Sequence, residues 1–150
     1  MARPMDHDAA RAFLEQGTRT GKVAWVSANG APHVAPIWFV VEDHPGSVTG
    51  WALSFNTHES SGKGKALRRE GRASLVVDLE EAPYSFVKVD GTVEIAEGPI
   101  DRVRAVATAA GGRYMGAERA DEYGARNGVE GEWVVTLVPT RITALDDVAG

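Results

Sequence analysis

Apolar residues in this chain mostly alternate with polar ones or run in short β-branched blocks, and helical spacing recurs at only three places. Lys22–Ser27 reads as a strand, followed by Asn29-Gly30, a hairpin signal because both residues tolerate positive φ. His33–Val41 reads as the return strand. Pro36 has no N–H to give a ladder, which places it at an edge, a bulge or a ligand-facing position. Asp43-His44-Pro45-Gly46 reads as a turn and Val48–Phe55 as a third strand. Ala73–Asp78 fits a buried strand. Tyr84–Glu97 fits a long one, with Phe86, Val87, Val89, Val93 and Ile95 as its apolar positions and Gly91 marking a bend or bulge. Glu132–Val138 is a further strand, extended past Pro139 by Arg141–Leu145.

The helical stretches are fewer. Asp6 or Asp8 caps a first helix carrying Ala9, Ala10, Phe13 and Leu14 on one face and ending near Gly17. A short helix with Leu67 turned inward follows the third strand. Pro99 opens a helix through Ile100, Val103, Val106, Ala107 and Ala110 that stops at Gly111-Gly112, and Arg113–Arg126 forms a second helical stretch. Strands in consecutive order with a few appended helices predict a mainly β (α+β) fold, an antiparallel barrel rather than a doubly wound sheet.

Composition narrows this picture. At 150 residues the chain is sized for one domain spanning 1–150, and 43% hydrophobic with 25% charged residues is the profile of a globular protein. Cysteine is absent, which removes disulfides, thiol catalysis and thiolate metal sites. No apolar run is long enough to span a membrane, and the N-terminus has no apolar core of a signal peptide, so a cytoplasmic location is expected. A formal net charge of −5 argues against non-specific nucleic-acid binding.

Against that acidity, one segment is cationic: Asn56-Thr57-His58-Glu59-Ser60-Ser61-Gly62-Lys63-Gly64-Lys65-Ala66-Leu67-Arg68-Arg69, with Arg72 beyond it. Hydroxyls, glycines and a lysine at the mouth of a short helix are what a phosphate needs: close backbone N–H groups, hydroxyl donors and charge. The competing reading is a solvated helix face. His7, His33, His44 and His58 have no metal-ligand spacing. Asp78, Glu80 and Glu81 fit a polar loop better than a catalytic carboxylate pair.

The chain resembles the FMN-binding split-barrel superfamily, with the pyridoxamine-phosphate-oxidase-like fold, and within it the branch that uses the deazaflavin F420. The resemblance is carried by Val23–Ser27 with Gly30–Phe39, Lys63–Glu70, Tyr84–Gly91 and Arg113–Gly116. It implies a six-stranded split barrel with peripheral helices, and a homodimer with two cofactor sites in its interface. Phosphate contacts would come from Asn56, Thr57, Ser60, Ser61, Lys63 and Lys65, and ring contacts from Ala35, Pro36, Ile37 and Trp38. Arg68 would reach an anionic tail. The neighbouring subunit would bring Tyr84, Arg113, Tyr114 and Met115 to a substrate pocket. Gly62 and Gly64 depart from the bulkier residue often found before the lysine.

The implied activity is F420-dependent oxidoreduction of a small hydrophobic or conjugated acceptor: a quinone, a tetrapyrrole or an activated alkene. The cofactor supplies the reactive atom, so no catalytic side chain and no metal is required. Two alternatives are an FMN enzyme of the same fold and a non-catalytic flavin, deazaflavin or haem binder. Individual residues also have structural readings. Trp38 fits core packing as well as a cofactor wall, and Tyr114 and Met115 fit helix packing as well as a pocket lining. Tyr84 fits a barrel-end residue with its hydroxyl in water.

Overall fold

A computed structural model describes residues 1–150. The elements run β1 (Arg3–Pro4), α1 (His7–Glu15), β2 (Gly21–Val26), β3 (Pro32–Ile37), β4 (Val40–Asp43), β5 (Trp51–His58), α2 (Gly62–Glu70), β6 (Arg72–Leu79), β7 (Ser85–Ala96), α3 (Ile100–Met115), α4 (Ala120–Asn127) and β8 (Glu132–Asp146). Every pairing is antiparallel, in the order β3-β2-β6-β7-β8-β5-β4, with β1 joined to the end of β8. The two edges of this sheet, β3 and β4, are consecutive in the chain and separated only by Trp38 and Phe39. The sheet therefore curls until its edges meet at a bend without pairing. Taken as halves of one bent strand, and with the two-residue β1 set aside, β3 and β4 complete a six-stranded split barrel.

That bend departs from the single strand expected over His33–Val41, and the reason is tertiary. The Phe39 side chain is fully buried, while its backbone leaves both ladders. Its N–H donates to Tyr114 Oη at 3.4 Å, and its carbonyl accepts from Arg113 Nη1 at 2.9 Å. Two residues at the end of α3 thus satisfy the groups that a sheet would otherwise have paired.

Inside the barrel, Val23, Leu75, Val77, Val87, Val89, Leu53, Phe55, Val135 and Leu137 pack with Leu14 from α1 and Leu67 from α2. Each such side chain contributes about 1.5–3 kcal/mol by leaving water. Asp6, not Asp8, caps α1, accepting from the Ala9 N–H at 2.8 Å. In the loop after β2 only Gly30 has positive φ; Asn29 instead accepts the Ala31 N–H with its side chain, at 3.1 Å. Pro36 does lie on an edge strand, β3, which pairs only with β2. Gly91 does mark a bulge: the register slips between Asp90 and Gly91, and a Cβ there would overlap the Val138 carbonyl. Pro139 sits directly opposite that bulge, so one continuous β8 accommodates it.

Several boundaries move. The strand expected over Val48–Phe55 starts only at Trp51 and continues to His58, because residues 45–50 form the preceding turn. Pro99 is the N-cap of α3 and not its first residue. The helix also runs through Gly111 and Gly112 to Met115, instead of ending there. A Cβ at Gly111 would overlap Tyr123, and one at Gly124 would overlap Thr108, so the glycines let α3 and α4 approach closely. The helical stretch expected over Arg113–Arg126 is accordingly split by Gly116, at φ 105°, and a short 3-10 turn.

Candidate functional site

The expected phosphate segment forms the end of β5, a tight turn and the start of α2. Ser61 caps the helix, its Oγ accepting the Gly64 N–H at 2.9 Å and donating to the His58 carbonyl at 2.8 Å. Thr57 Oγ1 lies 3.2 Å from Ser61 Oγ. A Cβ on Gly64 would sit 2.8 Å from the His58 carbonyl oxygen, whereas Gly62 has open space around it. The tight turn therefore requires glycine at 64 and merely permits it at 62. The backbone N–H groups of Gly62 and Lys63 have no acceptor in the chain.

In front of this turn lies a cleft of about 390 Å³. Of the residues anticipated for the cofactor, Pro36, Ile37, Trp38, Asn56, Thr57, Ser61 and Lys63 line it together. Trp38 forms a wall from the β3–β4 bend, stacked on Tyr114 with centroids 5.4 Å apart and planes 6° apart, and edge-on to Tyr123. Asn56 reaches the carbonyls of Val103 and Trp133 at 3.3 and 3.4 Å. Ala35 is the half-buried neighbour of Pro36 on β3, and Ser60 is exposed on the turn and bonded to His58 Nδ1 at 2.6 Å.

The remaining candidates lie elsewhere. Lys65 is exposed on α2. Arg68 lies over the Trp133 ring at 4.1 Å and pairs with Glu97. Tyr84, 47% exposed at φ 66°, borders a separate groove with Lys22 and Phe86. Arg113 donates to the carbonyls of Leu14, Gly17 and Phe39 at 2.6, 3.1 and 2.9 Å, so its guanidinium is occupied in bolting α1 and the bend to α3. Tyr114 donates to the Arg19 carbonyl at 3.0 Å and supports Trp38 from behind. Met115 ends α3, half-buried.

Sequence reasoning missed Ala107 and Ala110 from α3, Asn127 at the end of α4 and Glu132 at the start of β8 as lining residues. The two alanines, three apart on a helix face, carried the one available signal: small side chains that leave a cleft open. Asn127 and Glu132 had none, since only chain crossings bring them here. His58 also lines the cleft.

The cleft holds two charged side chains, Lys63 and Glu132, and neither makes a hydrogen bond or an ion pair through its side chain. Burial pushes the Lys63 ammonium below its ordinary pKa, partly offset by Glu132. Burial likewise pushes the Glu132 carboxyl up, held back by His58 and Lys63. A half-buried lysine with no partner, beside two free N–H groups, is the donor set that an anion would need. A wider hollow of about 560 Å³ lies on the outer sheet face around Trp25, His33 and Asp90. Its arginine, Arg72, is exposed, and none of the expected cofactor residues line it. The smaller cleft is therefore the better candidate site.

No curated protein sequence matches the chain. Among solved structures, conserved hypothetical protein Rv2991 from Mycobacterium tuberculosis aligns with a TM-score of 0.79 at 24% identity, over 95% of this chain and 86% of that one. A structure described as an F420 reductase aligns at 0.63 and 22%, over 87% and 94%. The haem storage protein HutZ from Vibrio cholerae aligns at 0.68 and 16%, over 94% and 96%. These likenesses share a fold across proteins of differing function. The profile of the pyridoxamine 5'-phosphate oxidase family matches residues 6–143, so the chain belongs to that family and its bent, open sheet is the family's split barrel.

Proposed function

We propose that the cleft binds a flavin-type cofactor, F420 in first place, and that the protein is an F420-dependent oxidoreductase. The observation that carries this is Lys63, a half-buried, unpartnered cation at the start of α2 beside the free N–H groups of Gly62 and Lys63. Lys63, those N–H groups, Thr57 and Ser61 would hold the phosphate. Pro36, Ile37 and Trp38 would flank the ring system, and the small Ala107 and Ala110 keep the floor of the cleft open. When bound, F420 supplies hydride chemistry. The chain's own part is to fix the phosphate, orient the ring along the bend and shelter it from water.

The acceptor is a small hydrophobic or conjugated molecule of the quinone, tetrapyrrole or activated-alkene class. The protein works as a homodimer, with the partner closing the open side of each cleft. Tyr84 borders a groove separate from the cleft, so a contribution from it to a substrate pocket would come from the other subunit. No helix is long and apolar enough to cross a membrane.

Fluorescence quenching of F420 by the purified protein tests the cofactor, with FMN titrated in parallel. Saturable F420 binding in the micromolar range is expected, and its absence sinks the reading. A Soret band or tightly held flavin after purification would favour the haem or FMN alternative. Light scattering after size exclusion tests the dimer, and a cofactor-binding monomer at micromolar concentration would refute the shared site.

A further inference from the structure

We propose that Glu132 sets which phosphate the cleft accepts, favouring a singly charged phosphodiester over a doubly charged phosphomonoester. This deepens the cofactor reading above and rests on it.

The argument is a charge count. Lys63 contributes the cleft's one positive charge and Glu132 its one negative charge. His58 also lines the cleft, and its Nδ1 is engaged by Ser60 on the turn. Lys65 and Arg68 lie outside the cleft. Histidine apart, the formal side-chain charge facing a bound anion is therefore zero: one lysine is opposed by one carboxylate.

Glu132 has no evident structural duty that would explain its place. Its carboxylate takes no hydrogen bond and no ion pair, although it is half-buried. Only its backbone serves the fold, pairing with His58 between β5 and β8. A carboxylate so placed costs desolvation and repels any anion brought to Lys63. That repulsion scales with the ligand's charge. A phosphomonoester such as FMN carries about −1.5 to −2 at neutral pH, whereas a phosphodiester such as that of F420 carries one negative charge at the same locus. At the effective dielectric of a half-buried site, the monoester's extra charge of about 0.5 to 1, facing a carboxylate within several ångströms, changes affinity by about tenfold. Glu132 thus tolerates the diester and penalises the monoester.

The test compares F420 and FMN binding to the wild-type protein and to Glu132→Gln, which keeps shape and removes charge. The FMN-to-F420 ratio of Kd values is compared between the two proteins, so contributions from ring and tail that the substitution leaves alone cancel. The expected result is that Glu132→Gln narrows the ratio by about tenfold, mainly by tightening FMN. Glu132→Thr, a β-branched neutral residue suited to a strand start, should shift the ratio the same way and covers a misfolded Gln variant. If both cofactors bind and both variants leave the ratio unchanged, or tighten the two ligands equally, the assignment to Glu132 is overturned while the cofactor reading stands. If the wild-type protein binds neither ligand, the cofactor reading itself fails and this inference with it.

Discussion

Replacing Lys63 with methionine probes the anion site most directly. The methionine stem retains the apolar part of the side chain and removes only the charge. Lys63 is half-buried and has no partner in the chain, so no internal ion pair is broken. Two unit charges about 4 Å apart interact by about 4 kcal/mol at an effective dielectric of 20. Opposing terms reduce this: the lysine already pays for partial desolvation, and Glu132 draws on the same charge. A net loss of about 2–3 kcal/mol, the range of a charged hydrogen bond, is the reasonable figure. F420 affinity should therefore fall about 30- to 150-fold.

Stability should move the other way or not at all. Lys63 has a folded-state pKa below its unfolded one, so folding favours the neutral amine. Its charge opposes folding below the folded pKa, and that penalty fades as pH rises to the unfolded value. Lys63→Met removes the penalty, so its thermal midpoint at neutral pH should equal or exceed that of the wild type. The assay is F420 fluorescence quenching beside a thermal melt, with the exposed Lys65→Met as control. Affinity for F420 within twofold of wild type in Lys63→Met, with the fold intact, would refute the placement of the phosphate.

Four further substitutions test the frame around the site. Arg113→Met leaves three carbonyls without a donor and unpins α1 from the bend, so it should cost about 2–4 kcal/mol in chemical denaturation; a loss of cofactor affinity with unchanged stability would assign Arg113 to the ligand instead. Gly64→Ala forces a Cβ onto the His58 carbonyl and should both lower the melting temperature and weaken F420 binding, while Gly62→Ala, with open space, should do neither. Arg102 holds Glu42 through two bonds of 2.7 and 2.8 Å and depresses its carboxyl pKa. A depressed carboxylate contributes stability that is present above its unfolded pKa and lost as pH falls through the folded one. Arg102→Met should therefore cost about 1 kcal/mol at neutral pH, discounted because both side chains are partly exposed, and much less in acid; an equal deficit at both pH values would contradict this.

Much of the fold and half of the candidate site could be read from the sequence, because those parts are local. The alternation of Val87, Val89 and Val93 defines a strand wherever it is placed. Asp6 caps a helix by reaching its own backbone. The grouping of Thr57, Ser61, Gly64 and Lys63 is fixed within one turn, so the proposed anion-binding end of the cleft was visible as a motif. What the sequence could not reveal depends on long-range crossings. The apolar run His33–Val41 has no local breaker at Trp38–Phe39; it bends because Arg113 and Tyr114, some seventy-five residues later, supply the hydrogen bonds Phe39 forgoes. The same bend carries Trp38 into the cleft and leaves the barrel open there. Glu132 and Asn127 join Lys63 only because β8 pairs with β5 and α4 folds back on α3 through Gly111 and Gly124. Periodicity and capping act over a few residues and are written in sequence, whereas the charge balance of the cleft is set by which distant segments share it.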